Sequence, residues 1–257
     1  MIRLYQFAPA WEIPNLSPFC VKVETYLRMA DLPYEVVEAI PPQGPKGQLP
    51  FIEDDGKRIA DSRFIIEYLK HTYGNSVDGH LTPPEQAVSN AMQRLIEDDL
   101  FWTFVFARWG KRDENWAENK RAIFRNLPPV VRSVLPVLAR RQMLKELRGQ
   151  GMGRHTPAEI YQLGRQDLSM LSDHLGDKLW FMGVKPTTLD ASAFGILVNV
   201  LWCPIESPLK EHLSTLTNLT ALCERVRERY YARPAGRAVT GQGVSPQGVR
   251  APAPVRR

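Results

Sequence analysis

The first quarter of the chain alternates between short apolar runs and a helical repeat. Residues 2–7 form a short apolar run that is typical of a buried strand. Residues 34–40 form a second strand-like run. Between them, apolar side chains recur at helical spacing at Phe19, Val23, Leu27 and Ala30. A helix that joins two consecutive strands predicts that the two strands are parallel.

A tight hairpin and a second helix complete this part of the chain. Residues 51–54 and 57–60 are strand-like runs separated by Asp55-Gly56, which is a strong signal for a two-residue hairpin turn. A helical repeat then covers residues 62–73. Together these elements predict an α/β domain with a mixed sheet over residues 1–76.

Beyond a polar, turn-rich stretch the repeat is helical almost throughout, which predicts an all-α domain over residues 85–232. The predicted helices cover residues 85–109, 113–125, 128–148, 156–175, 187–203 and 216–231. Pro136 predicts a kink or a late start in the third of these helices. Capping boxes at Thr156–Glu159 and Thr187–Asp190 begin two others. Residues 191–203 carry few charges, so their helix is expected at the centre of the domain.

The net charge of the chain is concentrated at its C-terminal end. The whole chain carries +5 at pH 7, and residues 233–257 contain five arginines and no acid, so the remainder is neutral overall. This stretch is rich in Pro, Gly and Arg without any period, which predicts a disordered tail. No aromatic residues alternate with its arginines to stack on bases, so nucleic acid is not an expected partner.

Composition excludes several other classes of protein. A hydrophobic fraction of 44% and a charged fraction of 24% are ordinary for a globular protein. No run is apolar over the ~18 residues that a membrane span needs, and the N-terminus lacks the features of a signal peptide. Three scattered cysteines cannot form a disulfide framework, and five histidines show no ligand spacing. We therefore expect a cytoplasmic protein without a metal site.

Three short stretches suggest one pocket for a small thiol ligand. Ser17 is a preferred N-cap residue, and its hydroxyl at a helix N-terminus could stabilise a thiolate. Leu49-Pro50 begins a strand, and a cis peptide there would turn the backbone of Leu49 outward to pair with an extended ligand. Asp61-Ser62 begins a helix, where the carboxylate suits an ammonium group and free N–H groups suit a carboxylate.

Each stretch also has a simpler interpretation. Ser17 and Asp61-Ser62 would be ordinary helix caps, and Pro50 an ordinary loop proline. Cys20 lies one turn after Ser17 beside the apolar stripe, which favours a packed thiol over a nucleophile. With Ser at position 17, no second thiol is available for disulfide exchange. The aromatic run at residues 101–109 fits the core, a pocket for a second substrate, or both.

These features together resemble the glutathione S-transferases. That family combines a thioredoxin-like domain, with Ser at its first helix, a Leu-Pro turn and an Asp-Ser pair, with an all-helical domain. The capping box at residues 187–191 is similar to the folding motif of the family's helical domain. Within that family, the chain resembles the failed-axon-connections and metaxin-like branch in particular, at residues 17–27, 149–155, 181–191 and 223–227. The resemblance covers about residues 1–232.

The resemblance implies a soluble transferase that uses glutathione as a co-substrate. The residues that would bind glutathione are Gln48, Leu49, Pro50, Asp61 and Ser62. Ser17 would donate to the glutathione sulfur, and the thiolate would attack a small apolar electrophile; a Ser rather than a Cys here disfavours thiol exchange. A homodimer is expected from the superfamily. The alternative is a non-catalytic protein-interaction module of metaxin-like type, without the C-terminal membrane anchor of the metaxins.

Overall fold

The N-terminal part of the chain forms one mixed sheet in the computed structural model, which describes residues 1–110, 113–125 and 128–232. Its strands are β1 (Ile2–Gln6), β2 (Tyr34–Glu38), β3 (Phe51–Asp54) and β4 (Lys57–Ala60), in the order β2-β1-β3-β4. Strand β1 is parallel to β2 and antiparallel to β3, and β3 is antiparallel to β4. The predicted mixed sheet is therefore confirmed.

Two helices, α1 (Pro18–Met29) and α2 (Ser62–Tyr73), cover the sheet. The buried apolar face of α1 packs with that of α2 and with the inward side chains of β1 and β3 in one cluster. Its members with no exposed surface are Leu4, Val23, Tyr26, Leu27, Ile52, Ile65, Leu69 and, from the helical part of the chain, Ala191. The apolar repeat of each helix therefore places one face on the sheet, as amphipathic helices require.

The rest of the described chain is helical. Its helices are α3 (Pro83–Arg94), α4 (Phe101–Trp109), α5 (Asp113–Phe124), α6 (Pro129–Gln150), α7 (Pro157–Leu175), α8 (Thr188–Leu201), α9 (Pro208–Thr215) and α10 (Thr217–Val226). The fold is thus a small α/β domain followed by an all-α domain, as predicted. The exact domain limits at residues 76 and 85 stay a prediction, and the predicted tail at 233–257 lies outside the described residues.

Helix α8 lies at the centre of the helical part and is buried along its length from Thr188 to Val200. Its start is a buried capping box: the Asp190 carboxylate accepts hydrogen bonds from the Thr187 N–H and hydroxyl, both at 2.8 Å. The same carboxylate accepts from the N–H of Phe181 at 2.9 Å. Burial nevertheless raises the pKa of Asp190 to about 6. The predicted central helix is confirmed.

The helix boundaries differ from the prediction at four places. The long helix expected at 85–109 is interrupted by a π-helical segment, Leu95–Leu100. Helix α6 begins at Pro129 and runs through Pro136 to Gln150. Helix α9 was not predicted, although Ser207 and Pro208 repeat the cap and first-position proline seen in α1. The last predicted helix is α10 followed by a π-helical turn, Arg227–Tyr231. In the described ranges, no helix is both long enough and apolar enough to cross a membrane.

Helix α7 carries a buried carboxyl group that is poorly paired. Asp167 is 3% exposed, and its Oδ2 has no hydrogen-bond partner among the described residues. Burial, aided by repulsion from Asp99, raises the pKa of Asp167 to about 7. The folded protein therefore holds a proton on this carboxyl group at a pH where the unfolded chain has released it.

We expect Asp167→Asn to remove a pH dependence of stability. A carboxyl pKa raised from 3.8 to about 7 on folding gives stability that is full below pH 3.8 and is lost as the pH rises through about 7. Between pH 4 and pH 8 the variant should gain roughly 1 to 2 kcal/mol relative to the wild type, allowing for solvent screening. Urea unfolding across this range measures the difference, with Asp173→Asn, at an exposed position of the same helix, as the control. If the difference in unfolding free energy between the variant and the wild type does not change with pH, this account is contradicted.

Candidate active site

A cavity of about 180 Å³ lies between the first turns of α1 and α2, the loop before β3 and the π-helical segment. Its lining comprises Phe19, Gln48, Leu49, Pro50, Asp61, Ser62, Arg63, Glu97 and Asp98. Five of these are the residues predicted to bind a ligand, and the structure brings all five together. The other four were not predicted, and two of those belong to the helical domain.

The loop before β3 contributes one wall of the cavity. The peptide bond between Leu49 and Pro50 is cis. Leu49 is 8% exposed, and Gln48 beside it is exposed to solvent. This wall therefore combines a backbone segment next to the sheet with one polar side chain at the rim.

The start of α2 contributes the polar wall. Asp61 has a φ of 79°, which is uncommon for a residue other than glycine. Its Oδ1 accepts a hydrogen bond from the N–H of Arg63 at 2.9 Å and so caps the helix. Ser62 is buried against the same turn. The cavity thus has a carboxylate and the positive end of a helix side by side, which suits a ligand that carries both an ammonium and a carboxylate.

Ser17 is the N-cap of α1 and is half-buried. Its Oγ accepts a hydrogen bond from the N–H of Cys20 at 3.4 Å, and its side chain also hydrogen-bonds to the Cys20 thiol. Ser17 is not among the residues that line the cavity, whereas Phe19, in the same helical turn, is. Cys20 is fully buried, and burial raises the pKa of its thiol to about 12. Cys20 is therefore a packed thiol, as expected.

An ionic cluster below the cavity was not predicted from the sequence. The buried Glu97 carboxylate accepts from Lys22 Nζ at 2.6 Å, Arg63 Nε at 2.9 Å and the Ser192 hydroxyl at 2.8 Å. Burial alone would raise the pKa of Glu97, but these three donors outweigh it and the pKa lies below its usual value. Burial lowers the pKa of Lys22 against the attraction of Glu97. The cluster joins α1, α2, α8 and the π-helical segment.

One signal in the sequence could have indicated this cluster. Lys22 stands between Val21 and Val23 in a helix whose seven residues from Val21 to Leu27 are all buried. A buried lysine needs an acidic partner. The identity of that partner could not be derived, because Glu97 is 75 residues away along the chain.

Aromatic side chains extend from the cavity into the helical domain. The rings of Phe19 and Phe101 are 4.9 Å apart, and Phe101 is 5.3 Å from Trp102 and 5.9 Å from Phe104. Phe104 is buried in the core, whereas Phe101 and Trp102 are half-buried. The predicted aromatic run thus belongs to the core at Phe104 and forms an apolar wall beside the cavity at Phe101. Over the ranges that the structure describes, no group of His, Cys, Asp and Glu side chains is arranged to hold a metal ion.

Comparisons with known proteins agree on one family. Residues 18–115 match the glutathione S-transferase N-terminal domain, and residues 164–226 match the C-terminal domain. The chain is 34% identical over 238 residues to the isoprene-epoxide glutathione S-transferase of Rhodococcus sp. (strain AD45), covering 90% of this chain and 99% of that protein.

Other relatives carry different names. Failed axon connections of Drosophila melanogaster is 35% identical over 244 residues, which are 90% of this chain but only 58% of that protein. Metaxin-1 of Mus musculus is 28% identical over 242 residues, 90% of this chain and 76% of that protein.

Solved structures show the same fold at low identity. A glutathione S-transferase of Ceriporiopsis subvermispora in complex with glutathione superimposes with a TM-score of 0.60 at 21% identity, covering 88% of this chain and 97% of that one. A Methylobacterium radiotolerans glutathione S-transferase in complex with glutathione sulfonate superimposes with a TM-score of 0.55 at 18% identity, covering 96% of this chain and 99% of that one.

We expect Glu97→Gln to destabilise the protein by about 3 kcal/mol, because it leaves the buried Lys22 ammonium without a counter-charge. The neighbouring change Asp98→Asn is the matched control. Its side chain is 55% exposed, so its ion pair with Arg63 is screened by solvent and should contribute less than about 1 kcal/mol. Guanidinium unfolding at neutral pH measures both changes. Equal losses for the two variants would contradict a special role for the buried carboxylate.

Proposed function

The chain belongs to the glutathione S-transferase family, and on this premise we propose that it binds glutathione in the described cavity and transfers it to a small apolar electrophile. The observation that carries the proposal is the convergence of Gln48, Leu49, Pro50, Asp61 and Ser62 on that one cavity. These residues come from two separate stretches of the chain, and a set of unrelated caps and loop residues would not need to share a cavity.

Glutathione has one group for each feature of the cavity. Its γ-glutamyl ammonium suits the carboxylate of Asp61, and the adjacent carboxylate suits Ser62 and the N–H groups at the start of α2. The peptide part of the ligand can pair with the backbone of Leu49. Gln48, exposed at the rim, can donate to the second carboxylate. Arg63 is held by Glu97 and Asp98, so its role is to fix the start of α2.

The chemical step requires the thiol of bound glutathione to lose its proton. The Ser17 hydroxyl and the positive end of α1 stabilise the resulting thiolate, and the proton passes to solvent. The thiolate sulfur then forms a bond to carbon of the electrophile as a carbon–leaving-group bond breaks. For an epoxide the carbon–oxygen bond breaks, and the alkoxide takes a proton from water. Phe19 and Phe101 provide an apolar wall for the electrophile.

The name of the Rhodococcus relative indicates which electrophile to use as a probe. That protein is described as acting on an isoprene epoxide, and it aligns with this chain over 99% of its length. We therefore propose small apolar epoxides as the first substrates to test. A homodimer and a cytoplasmic location complete the proposal. The homodimer is supported by the family, and the cytoplasmic location by the three buried free thiols. Analytical ultracentrifugation and localisation of the full chain would test them.

A second function is supported by a specific observation. The Ser17 oxygen serves as an ordinary cap for the N–H of Cys20, and Ser17 lies outside the cavity lining. If that is its whole role, the chain is a non-catalytic module of metaxin-like type that uses its fold to bind another protein. Measurements of catalysis and of glutathione binding separate the two functions.

We expect Ser17→Ala to lower kcat/KM for epoxide conjugation roughly 10- to 100-fold, because the thiolate loses its hydrogen-bond donor. Ser207→Ala is a matched control, since Ser207 also caps a helix with proline at its first position. Both variants should lose about 1 kcal/mol of stability from the missing cap, but only the first should lose activity. Unchanged turnover by Ser17→Ala would remove this residue from catalysis and favour the non-catalytic function.

We expect Asp61→Asn and Ser62→Ala each to weaken glutathione binding about tenfold or more, which corresponds to ~1.4 kcal/mol for each tenfold change. Isothermal titration with glutathione measures this directly. Thr82→Ala, at the cap of α3 outside the cavity, is the control. Ser17→Ala should bind glutathione nearly as well as the wild type, because it contacts only the sulfur. A wild-type chain that binds no glutathione would rule out the proposed function.

A further inference from the structure

A buried arginine of the helical domain binds the loop that leads into α1. Arg108 of α4 is 4% exposed. Its Nη1 donates to the carbonyl of Leu16 at 2.8 Å. Its Nη2 donates to Oδ1 of Asn199 at 2.8 Å and to the carbonyl of the same residue at 3.1 Å. A planar guanidinium can satisfy acceptors in such a fixed arrangement, whereas the point charge of a lysine cannot.

Asn199 of α8 continues the chain of contacts. It has no exposed surface, and its Nδ2 donates to the carbonyl of Asn15 at 3.1 Å and to that of Gly195 at 2.9 Å. Asn15, itself 1% exposed, donates from Nδ2 to the carbonyl of Phe7 at 2.7 Å. Its Oδ1 accepts from the N–H of Ser17 at 3.1 Å. The two carbonyl groups directly before Ser17 and the N–H of Ser17 itself are therefore all fixed by side chains.

The first turn of α1 is also in close contact with α8. A Cβ atom on Gly195 would lie 2.4 Å from the carbonyl oxygen of Pro18, which is closer than any side chain tolerates. Only glycine at this position lets the two helices approach so closely. The placement of Ser17 thus depends on α4 and α8 and not only on its own helix.

We propose that Arg108 and Asn199 are positioning residues, which hold the loop at residues 15–17 so that the Ser17 hydroxyl and the first N–H groups of α1 face the glutathione sulfur. This inference rests on the proposed function. Neither residue touches the ligand. Their effect on the reaction passes through the backbone of Asn15 and Leu16.

The chemistry of Arg108 suits this role. Burial lowers the pKa of its guanidinium to about 10, which still leaves it charged at neutral pH. The guanidinium also lies over the rings of Phe104 at 4.3 Å and Trp11 at 5.0 Å, where cation–π attraction offsets part of the desolvation. Phe104 belongs to the aromatic cluster that includes Phe101, so the same arginine supports the loop before Ser17 and the packing behind the apolar wall.

Two variants weaken the contacts selectively. Arg108→Lys keeps the charge and removes the planar set of donors. Asn199→Asp keeps the acceptor for Arg108 and removes the N–H donors to Asn15 and Gly195. The matched control is Arg140→Lys, because Arg140 also donates to two backbone carbonyls, those of Trp109 and Gly110, which directly follow Arg108 at the C-terminal end of α4.

The decisive readout is the pKa of the bound glutathione thiol, followed by the ultraviolet absorbance of the thiolate across pH, together with kcat and KM. In both variants the thiol pKa should rise by about 1 unit, and kcat at neutral pH should fall roughly tenfold. KM for glutathione should stay within about threefold of the wild type, because Asp61 and Ser62 are untouched. Arg140→Lys should change none of these values. Combined with Ser17→Ala, either variant should cause a smaller further loss than it causes alone, because only the contribution of the N–H groups of α1 is then left to lose.

A purely structural role predicts something different: a lower melting temperature and a smaller active fraction, with an unchanged thiol pKa per active site. That result would overturn the inference, as would full additivity with Ser17→Ala. If Arg108→Lys does not fold, Asn199→Asp decides the question, since its carboxylate retains a buried pairing with Arg108. A wild type that binds no glutathione overturns the proposed function and this inference with it. If the wild type lowers the pKa of the bound glutathione thiol and the Arg108 and Asn199 variants leave that pKa unchanged, only the inference is overturned.

Discussion

The buried carboxylate of Glu97 is the interaction on which the arrangement of the two domains depends. It lies in the helical domain, yet two of its three donors, Lys22 and Arg63, come from the helices that cover the sheet. Arg63 directly follows the Asp61-Ser62 pair at the start of α2. The position of the proposed binding residues relative to α1 is therefore set by a group in the other domain. A movement of the domains would separate the ionic cluster and distort the cavity together.

Such a cluster does more to fix the positions of its residues than to increase the free energy of unfolding. Removing charged groups from water costs about as much as their attraction returns, so a complete buried pair adds little, whereas an incomplete one is costly. The folded chain consequently tolerates only the arrangement in which Lys22, Arg63 and Ser192 all reach the same carboxylate. The π-helical segment at Leu95–Leu100 places Glu97 in this position, and the close contact at Gly195 brings α8 near enough for Ser192 to donate.

The parts of the structure that could be predicted from the sequence are those encoded by neighbouring residues. Asp55-Gly56 predicts its hairpin and Thr187–Asp190 predicts the start of α8. Two of the three predicted pocket stretches, at residues 48–50 and 61–62, line one cavity. The ionic cluster and the hydrogen bonds of Arg108 could not be predicted in this way, because they join residues 34 to 95 positions apart. Charged residues within an amphipathic pattern are ordinarily assigned to solvent. The missed helix α9 is different, since its Ser207-Pro208 signal is local and the same as the one used for α1.

The proposed binding of glutathione and the proposed catalysis depend on different parts of this architecture. The cavity is lined by the start of α2, the Leu49-Pro50 loop, the π-helical segment and Phe19 of α1, and Ser17 is not among its lining residues. The start of α1 is instead held by α4 and α8 through Arg108 and Asn199. In this chain the backbone at residues 15–17 is held by the side chains of Asn15, Arg108 and Asn199, each of which is 4% exposed or less.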